Sequence, residues 1–208
     1  MGRRGPCLDP GARGARRRHH GVASRRRPAD AGRAGLCAVR VVLLGDSHLA
    51  RLRRELPRLG ESVVNAAVGG ATVLDLEAQA DRVGLAPDDA VVVSIGTNDA
   101  ATGNEVPVLD FRQTLARLVT TRRVARWILM APPGVDESQL GGVERTNAAV
   151  DVYAAATVAV AEATSARLVD SHGLLAPLGS RAFATDGLHL SGEGYRALLP
   201  VLARAVGV

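Results

Sequence analysis

The sequence contains no lysine, and its 208 residues include only two cysteines and five aromatic residues. Without lysine there is no Gly-x4-Gly-Lys phosphate loop, which excludes P-loop nucleotide hydrolases, and the Gly-x-Gly-x-x-Gly dinucleotide fingerprint is also absent. Cys7 and Cys37 lie in or beside a basic N-terminal segment, so the rest of the chain has no thiol for a disulfide framework or a cysteine-based metal site. No apolar run approaches the roughly 18 residues of a membrane-spanning helix, and we expect no membrane insertion.

Positive charge is concentrated at the start of the chain. Residues 1–40 hold eleven Arg against two acidic residues, whereas residues 41–208 hold fifteen Arg against nineteen acidic residues. The overall net charge of +5 is therefore the balance of a strongly basic segment and a mildly acidic remainder. A basic patch that binds nucleic acid is not indicated in the acidic part, so we do not expect a nucleic-acid partner.

The first 38 residues are mostly Arg, Gly, Ala and Pro, with too few apolar residues to form a core. We predict an Arg-rich disordered extension over 1–38 and one domain over 39–208. Three interpretations stay open for the extension: a basic tail that contacts RNA or anionic surfaces, an atypical transit or export segment, and a non-native extension. The third is favoured, with translation starting near Val39. No apolar stretch of about 7–15 residues follows Ser24–Arg27, so a twin-arginine export signal is not indicated and a cytoplasmic location is expected.

From residue 39 onward, short apolar runs alternate with apolar stripes at helical spacing. Continuous runs predict buried strands, and stripes repeating every three to four residues predict helices. The expected strands are Val39–Leu44, Ser62–Val68, Ala90–Ile95, Arg126–Ala131 and Arg167–Val169. Five apolar stripes predict helices: Leu49 until Pro57, Leu76 to Val83, Val108 to Leu118, Leu140 through Val143 to Ala161, and Tyr195 to Val206. The last stripe includes Leu198 and Leu202, and Ser191 is its expected N-terminal cap. Strict alternation predicts an α/β fold with a parallel sheet, whose ligands bind at the carboxyl ends of the strands.

Four polar motifs occupy such positions. Three follow the first three strands, and the fourth precedes the last helix: Gly45–His48, Asn65–Thr72, Gly96–Asp99 and Asp186–His189. Each has a purely structural interpretation when taken alone, as a helix cap, a glycine turn, an asparagine turn or a structural histidine. Together they offer a serine hydroxyl, close-approaching amides, a side-chain N–H, and an acid three residues before a histidine, which are the groups that acyl transfer needs.

A competing acid–histidine pair lies in Asp170–His172. We consider it weaker because a two-residue spacing in extended chain tends to point the side chains apart. No carboxylate–histidine pair has metal-ligand spacing on a helix, and His19 and His20 lie in the basic segment, so neither metal nor cofactor is expected.

In order and spacing, the four motifs resemble the SGNH hydrolases, also called GDSL-type esterases and lipases. The resemblance extends over residues 39–207 and includes Gly194-Tyr195 in the last helix. It implies a three-layer α/β/α sandwich with a five-stranded parallel sheet, a flavodoxin-like arrangement. The sequence departs from the commonest form of the first motif at His48, where leucine is usual.

The resemblance also implies a role for each motif residue. Ser47 would be the nucleophile, His189 the general base, and Asp186 the carboxylate that orients the imidazole. The Ser47 and Gly70 amides and the Asn98 side chain would form the oxyanion hole. Asp46 and Asp99 would brace their loops through hydrogen bonds to nearby backbone.

The predicted function is a serine esterase that hydrolyses a small-molecule carboxylic ester through an acyl-enzyme intermediate. The scarcity of aromatic residues and the lack of a long apolar insertion favour short acyl groups, such as acetyl, on small or sugar alcohols. A lysophospholipase or thioesterase-like acylhydrolase of the same family is the alternative. An inactive scaffold whose Arg-rich tail binds nucleic acid is the alternative from a different class. The sequence does not indicate an oligomeric state.

Overall fold

The computed structural model describes residues 39–140 and 145–208. The predictions for residues 1–38 and for Val143 lie outside these residues. The described part contains one five-stranded parallel sheet in the order β2-β1-β3-β4-β5, which confirms the predicted α/β fold. The strands are β1 (Arg40–Gly45), β2 (Ser62–Asn65), β3 (Ala90–Ser94), β4 (Arg126–Met130) and β5 (Arg167–Val169).

Helices cover both faces of this sheet. They are α1 (Ser47–Ala50), α2 (Leu76–Val83), α3 (Val108–Thr121), α4 (Asn147–Thr164), α5 (Ser171–Leu175) and α6 (Gly192–Val206), with 3₁₀ turns at Leu56–Leu59, Val73–Asp75 and Ala176–Ala182. Successive β1 side chains point to opposite faces. Val42 and Leu44 pack in the core with α2, α3 and α4, while Val41 and Leu43 pack in a second core with α6. These two cores separate the three layers of an α/β/α sandwich.

The sheet register places the motifs that follow β1 and β3 together at the carboxyl end of the sheet. Gly45 at the end of β1 lies opposite Ser94 at the end of β3, and Ser94 lies opposite Met130 at the end of β4. The loops that leave β1 and β3 therefore begin side by side. Parallel α/β sheets bind their ligands at this end, beyond the carboxyl ends of the strands.

The first predicted helix is shorter than its apolar stripe indicated. The stripe predicted one helix from Leu49 to Pro57, but α1 ends at Ala50 and Pro57 lies inside a separate 3₁₀ turn. The side-chain amide of Asn65 donates to the carbonyls of Leu49 and Leu52, at 2.8 and 3.0 Å. Asn65, at the end of β2, therefore binds the backbone at the point where α1 stops, and helix ends commonly have such side-chain partners for their free carbonyls.

The fourth predicted helix begins later than expected. Its stripe started at Leu140, but α4 begins at Asn147, where the Thr146 hydroxyl accepts the Ala149 N–H. The last helix agrees with its prediction, because the Ser191 hydroxyl caps it and Leu198 and Leu202 are fully buried. No helix in the described residues is both long and apolar enough to cross a membrane.

Candidate active site

Ser47 lies at the first turn after β1. Gly45 adopts a φ of +126°, and a Cβ at this position would collide with the Ser94 carbonyl oxygen, so the position requires glycine. Asp46 then caps α1, because its carboxylate accepts the His48 N–H at 3.0 Å. The close contact at Gly45 and the cap at Asp46 together fix the backbone that carries the Ser47 hydroxyl.

The glycine loop after β2 approaches Ser47 closely. Its backbone stays bonded to the first strand, since the Val68 N–H donates to the Gly45 carbonyl at 2.9 Å. A Cβ on Gly69 would lie only 3.8 Å from the Ser47 Cβ, and Gly70 adopts a φ of +82° with open space around it. The loop backbone therefore lies beside Ser47, with no side chain at Gly69 or Gly70.

The Asn98 side chain is oriented by partners on both of its polar atoms. Its Nδ2 donates to the Ala71 carbonyl at 2.9 Å, and its Oδ1 accepts from the Arg145 guanidinium at 3.1 Å. These two contacts define which end of the amide is the nitrogen. An amide nitrogen carries two N–H groups, so one is left for a ligand.

Asp186 and His189 form an acid–histidine pair in the loop before α6. Oδ2 of Asp186 is hydrogen-bonded to Nδ1 of His189 at 2.7 Å. Oδ1 accepts the backbone N–H groups of Leu188 and His189 at 3.0 and 2.9 Å. Burial acts to raise the pKa of Asp186, but the hydrogen bonds from His189 and Leu188 outweigh it and hold the pKa well below the usual range. Asp186 is therefore ionised, and Nε2 is the imidazole nitrogen left for another partner.

One cleft of about 600 Å³ brings the predicted residues together. Ser47, Gly70, Asn98 and His189 line it, and Asp186 is bonded to His189. Among the described residues, none, His189 included, forms a hydrogen bond with the Ser47 hydroxyl. The other lining residues are Ala50, Arg51, Arg53, Gly69, Arg145 and Leu188.

Two buried carboxylates brace the loops, as predicted. Asp46 caps α1, while Asp99 accepts the Val73 N–H at 2.8 Å and so connects the Asn98 loop to the chain that follows the glycine loop. Both are fully buried. Burial is the main cause that raises the pKa of Asp46 to about 7 and that of Asp99 to about 6.

His48, the departure from the common motif, is buried beside the cleft. Its ring lies 6.3 Å from the His189 ring, centre to centre, and its Nε2 is 3.4 Å from the Thr97 hydroxyl. Burial, followed by the nearby charges of His189, Arg51 and Arg145, lowers the pKa of His48 to about 3. His48 is therefore neutral at ordinary pH and packs as an uncharged side chain. Its backbone carbonyl accepts the Tyr195 hydroxyl at 2.9 Å, which joins α6 to the Ser47 turn.

The competing acid–histidine pair does not assemble. Asp170 turns back to cap α5 by accepting the Gly173 N–H at 2.9 Å, and His172 faces Asp151 with 3.5 Å between Nδ1 and Oδ1. Within 39–140 and 145–208, no group of three or more His, Cys, Asp or Glu side chains is arranged to hold a metal ion.

Two contributors to the site were missed by sequence reasoning. Gln79 is buried in α2 and bonds both backbone groups of Gly45, while Arg145 bonds the Thr97 carbonyl and the Asn98 side chain. A polar residue on the buried side of an amphipathic stripe was the available signal for Gln79. Arg145 carried no signal, because its position near Asn98 depends on the fold.

In sequence the chain is similar to ester-hydrolysing enzymes. The model of the GDSL-like lipase/acylhydrolase family matches residues 40–197. An acetylxylan esterase of Geobacillus stearothermophilus is 30% identical over 172 residues, covering 75% of this chain and 77% of that protein. A GDSL esterase/lipase of Arabidopsis thaliana is 30% identical over 138 residues, covering 55% of this chain and 57% of the relative.

Solved structures share the fold. The crystal structure of the Geobacillus acetylxylan esterase is 25% identical, with a TM-score of 0.65 over 82% of this chain and 94% of that one. A lipase/acylhydrolase from Enterococcus faecalis, 24% identical, superposes with a TM-score of 0.69 over 80% of this chain and 94% of that one, a likeness of fold. The extent of the family match and the identity to a curated esterase place the chain in the GDSL-like lipase/acylhydrolase family of ester-hydrolysing enzymes.

Proposed function

We propose that the protein is a serine esterase that removes short acyl groups, such as acetyl, from small or sugar alcohols. Ser47 is the nucleophile, His189 the general base and Asp186 the residue that orients it. The observation that carries the proposal is the shared cleft: the hydroxyl, the imidazole and the candidate oxyanion donors line one space, and an ionised carboxylate is bonded to the far side of the imidazole.

Acylation begins with attack of the Ser47 Oγ on the ester carbonyl carbon. Nε2 of His189 takes the hydroxyl proton, since Nδ1 is held by Asp186. The positive imidazolium that forms is stabilised by the Asp186 carboxylate. Collapse of the tetrahedral intermediate breaks the bond to the alcohol oxygen, and His189 returns its proton to the leaving alcohol.

The oxyanion formed at the carbonyl oxygen accepts N–H groups of Ser47, Gly70 and Asn98. The Gly70 position supports this role, because its φ of +82° and the open space around it favour a glycine whose amide a ligand can approach. The two contacts on Asn98 hold its Nδ2 in place before substrate arrives. Donors placed in advance are worth about 3–4 kcal/mol each in the transition state.

Deacylation repeats these steps with water. His189 takes a proton from a water molecule, whose oxygen attacks the acyl carbonyl carbon of Ser47. Collapse releases the carboxylic acid and returns the proton to the Ser47 oxygen, which restores the free enzyme.

The composition of the cleft supports a short acyl group. Apart from glycine, Ala50 and Leu188 are the only apolar residues in the lining that the described part of the chain supplies, and the others are polar or charged. A long acyl chain gains roughly 0.8 kcal/mol for each CH₂ that it buries, and a wall of this kind buries few of them. A relative points the same way, since it is named an acetylxylan esterase.

Hydrolysis of p-nitrophenyl esters from acetyl to decanoyl by the full chain tests the proposal. We expect kcat/KM to be highest for acetyl and to fall as the acyl chain lengthens. Ser47→Ala should lower the acetyl rate on the order of 10³-fold or more. Ser62→Ala is the matched control, because Ser62 is the first residue of β2 and the cleft lies beyond the carboxyl ends of the strands. Wild-type activity in Ser47→Ala would overturn the assignment of Ser47 as the nucleophile. A preference for acyl chains of ten or more carbons would overturn the proposed short-acyl substrate class.

A further inference from the structure

The charged side chains that line the cleft are arginines. Of its ten lining residues in the described part of the chain, three are Arg51, Arg53 and Arg145, and none is Asp or Glu. Residues 41–208 contain more acidic residues than arginines, nineteen against fifteen, so the composition of this part of the chain does not account for the cluster. A cleft lined by charge of one sign concentrates ligands of the opposite sign.

Arg51 and Arg53 differ from those arginines of the domain surface that have acidic partners. Arg40, Arg122 and Arg181 each form an ion pair with an acidic side chain. Within the described residues, the guanidinium groups of Arg51 and Arg53 form neither an ion pair nor a hydrogen bond, and both residues are exposed. Their donors are therefore available to a ligand in the cleft.

The nearest acid along the chain does not neutralise this pair. Glu55 accepts the backbone N–H of Arg53 at 3.4 Å, and in the described residues it forms no ion pair with either guanidinium. The neighbours Arg54 and Arg58 are also exposed, but they do not line the cleft. The chain therefore places two cations toward the cleft and two away from it within eight residues.

Arg145 adds a third positive charge on the Asn98 side of the cleft. Its Nε donates to the Thr97 carbonyl and one terminal nitrogen to Asn98 Oδ1, both at 3.1 Å. These bonds fix the guanidinium beside a candidate oxyanion donor. Arg145 is therefore held at the cleft by the Asn98 loop, while Arg51 and Arg53 have no such contacts among the described residues.

We infer that the preferred substrate is an ester that carries a negatively charged group, a carboxylate or a phosphate, which Arg51 and Arg53 bind while its acyl carbonyl lies at Ser47. This inference rests on the proposed esterase function. Guanidinium groups suit both anions because their paired N–H donors match two oxygens of either group. The charged group remains unchanged, and the reaction is the ester hydrolysis described above.

Acetate release from three acetyl esters of similar alkyl alcohols tests the inference in the full chain. The probes are 2-acetoxyethanol, which is neutral, 4-acetoxybutanoate, which carries a carboxylate, and 2-acetoxyethyl phosphate. We expect kcat/KM to be about tenfold or more higher for at least one anionic probe than for the neutral one, and this ratio to fall as salt is added. The two anionic probes show which anion is preferred.

The double variant Arg51→Gln/Arg53→Gln should bring the anionic-to-neutral ratio close to one, mainly by raising KM for the anionic ester. Arg54→Gln/Arg58→Gln removes the same charge from the same segment and should leave the ratio unchanged. Equal kcat/KM for charged and neutral probes in the wild type, with good turnover of the neutral probe, would overturn the inference and leave the esterase proposal intact. A folded chain that hydrolyses none of the probes and no p-nitrophenyl ester would overturn both.

Discussion

The Gln79 side chain hydrogen-bonds both backbone groups of Gly45. The Gly45 N–H donates to Oε1 at 2.6 Å, and Nε2 donates to the Gly45 carbonyl at 2.9 Å. Gln79 lies in α2, 34 positions away in the chain and only 1% exposed. A buried amide from the helical layer thus fixes the residue two positions before the proposed nucleophile.

Gln79→Met should remove this support while keeping a similar side-chain volume. The Gly45 N–H would be left buried without its partner, which costs about 1–3 kcal/mol of unfolding free energy. We also expect kcat for p-nitrophenyl acetate to fall, because the Ser47 turn loses its anchor. Urea unfolding and steady-state kinetics measure the two effects. Gln113→Met, on the exposed face of α3, is the control, and equal behaviour of the two variants would contradict the role of Gln79.

Gly45→Ala should be far more damaging than an ordinary glycine substitution. The new Cβ would meet the Ser94 carbonyl oxygen at a φ of +126°, and we expect a loss of at least about 3 kcal/mol. Gly84→Ala is the comparison, because its φ is also positive, at +63°, but nothing lies within 4 Å of the new Cβ. That variant should lose only about 1–2 kcal/mol. Thermal unfolding measures the loss of stability in both variants. Similar losses would contradict the claim that the contact with the Ser94 carbonyl makes Gly45→Ala more damaging.

The Asp46 carboxyl should make stability depend on pH. Its folded pKa of about 7 lies above the ordinary value of 3.8, so the folded state binds a proton that the unfolded state releases. Asp46 therefore contributes stability that is fully present below about pH 4 and is lost as the pH rises toward 7. His48, whose folded pKa of about 3 lies below its ordinary 6.5, has the opposite effect, so wild-type curves alone are not diagnostic.

Asp46→Asn isolates the Asp46 contribution, because His48 is present in both proteins and an asparagine oxygen can still accept the His48 N–H. We expect the stability of the variant relative to the wild type to increase between pH 4.5 and 8. Asp88→Asn, at an exposed position, is the control for the loss of a carboxyl group. Urea unfolding across this pH range measures the stability of each protein. A constant difference for Asp46→Asn would contradict a carboxyl that is protonated on folding.

Asn98→Ala tests the proposed oxyanion donor. Loss of one such donor should lower kcat on the order of 10²–10³-fold with little change in KM, because the interaction is made in the transition state. Arg145→Met keeps the amide but removes its contact with Oδ1, so a smaller decrease in kcat is expected. Steady-state kinetics with p-nitrophenyl acetate separates the two constants. An increase in KM alone for Asn98→Ala would indicate ground-state binding instead.

Local patterns predicted those parts of the fold that depend on burial along one segment. The apolar run before Gly96 predicted β3 to within one residue, and Arg167–Val169 was predicted with the bounds that β5 has. The prediction failed where contacts with a distant residue accompany the end of a helix. Asn65, on another strand, donates to the carbonyls of Leu49 and Leu52, and no pattern within the Leu49–Pro57 segment contains that information.

The candidate site follows the same division. The four motifs could be located because strand ends and polar residues coincide in the sequence, and the sheet brings Ser47, Gly70 and Asn98 to one cleft with His189. Gln79 and Arg145 could not be assigned, since their roles arise from contacts 34 and 47 positions away along the chain. The short helix α5 was also missed, because a five-residue segment with one glycine has no usable helical period.

Covalent labelling with a serine-reactive fluorophosphonate, read by intact mass and peptide mapping of the full chain, tests most directly whether Ser47 is the nucleophile. We expect one adduct per chain, located on Ser47, with loss of p-nitrophenyl acetate hydrolysis in proportion to labelling. Ser47→Ala should take up no label, and Ser62→Ala should label like the wild type. An adduct at another residue that abolishes activity, or full activity in a chain labelled at Ser47, would contradict Ser47 as the nucleophile.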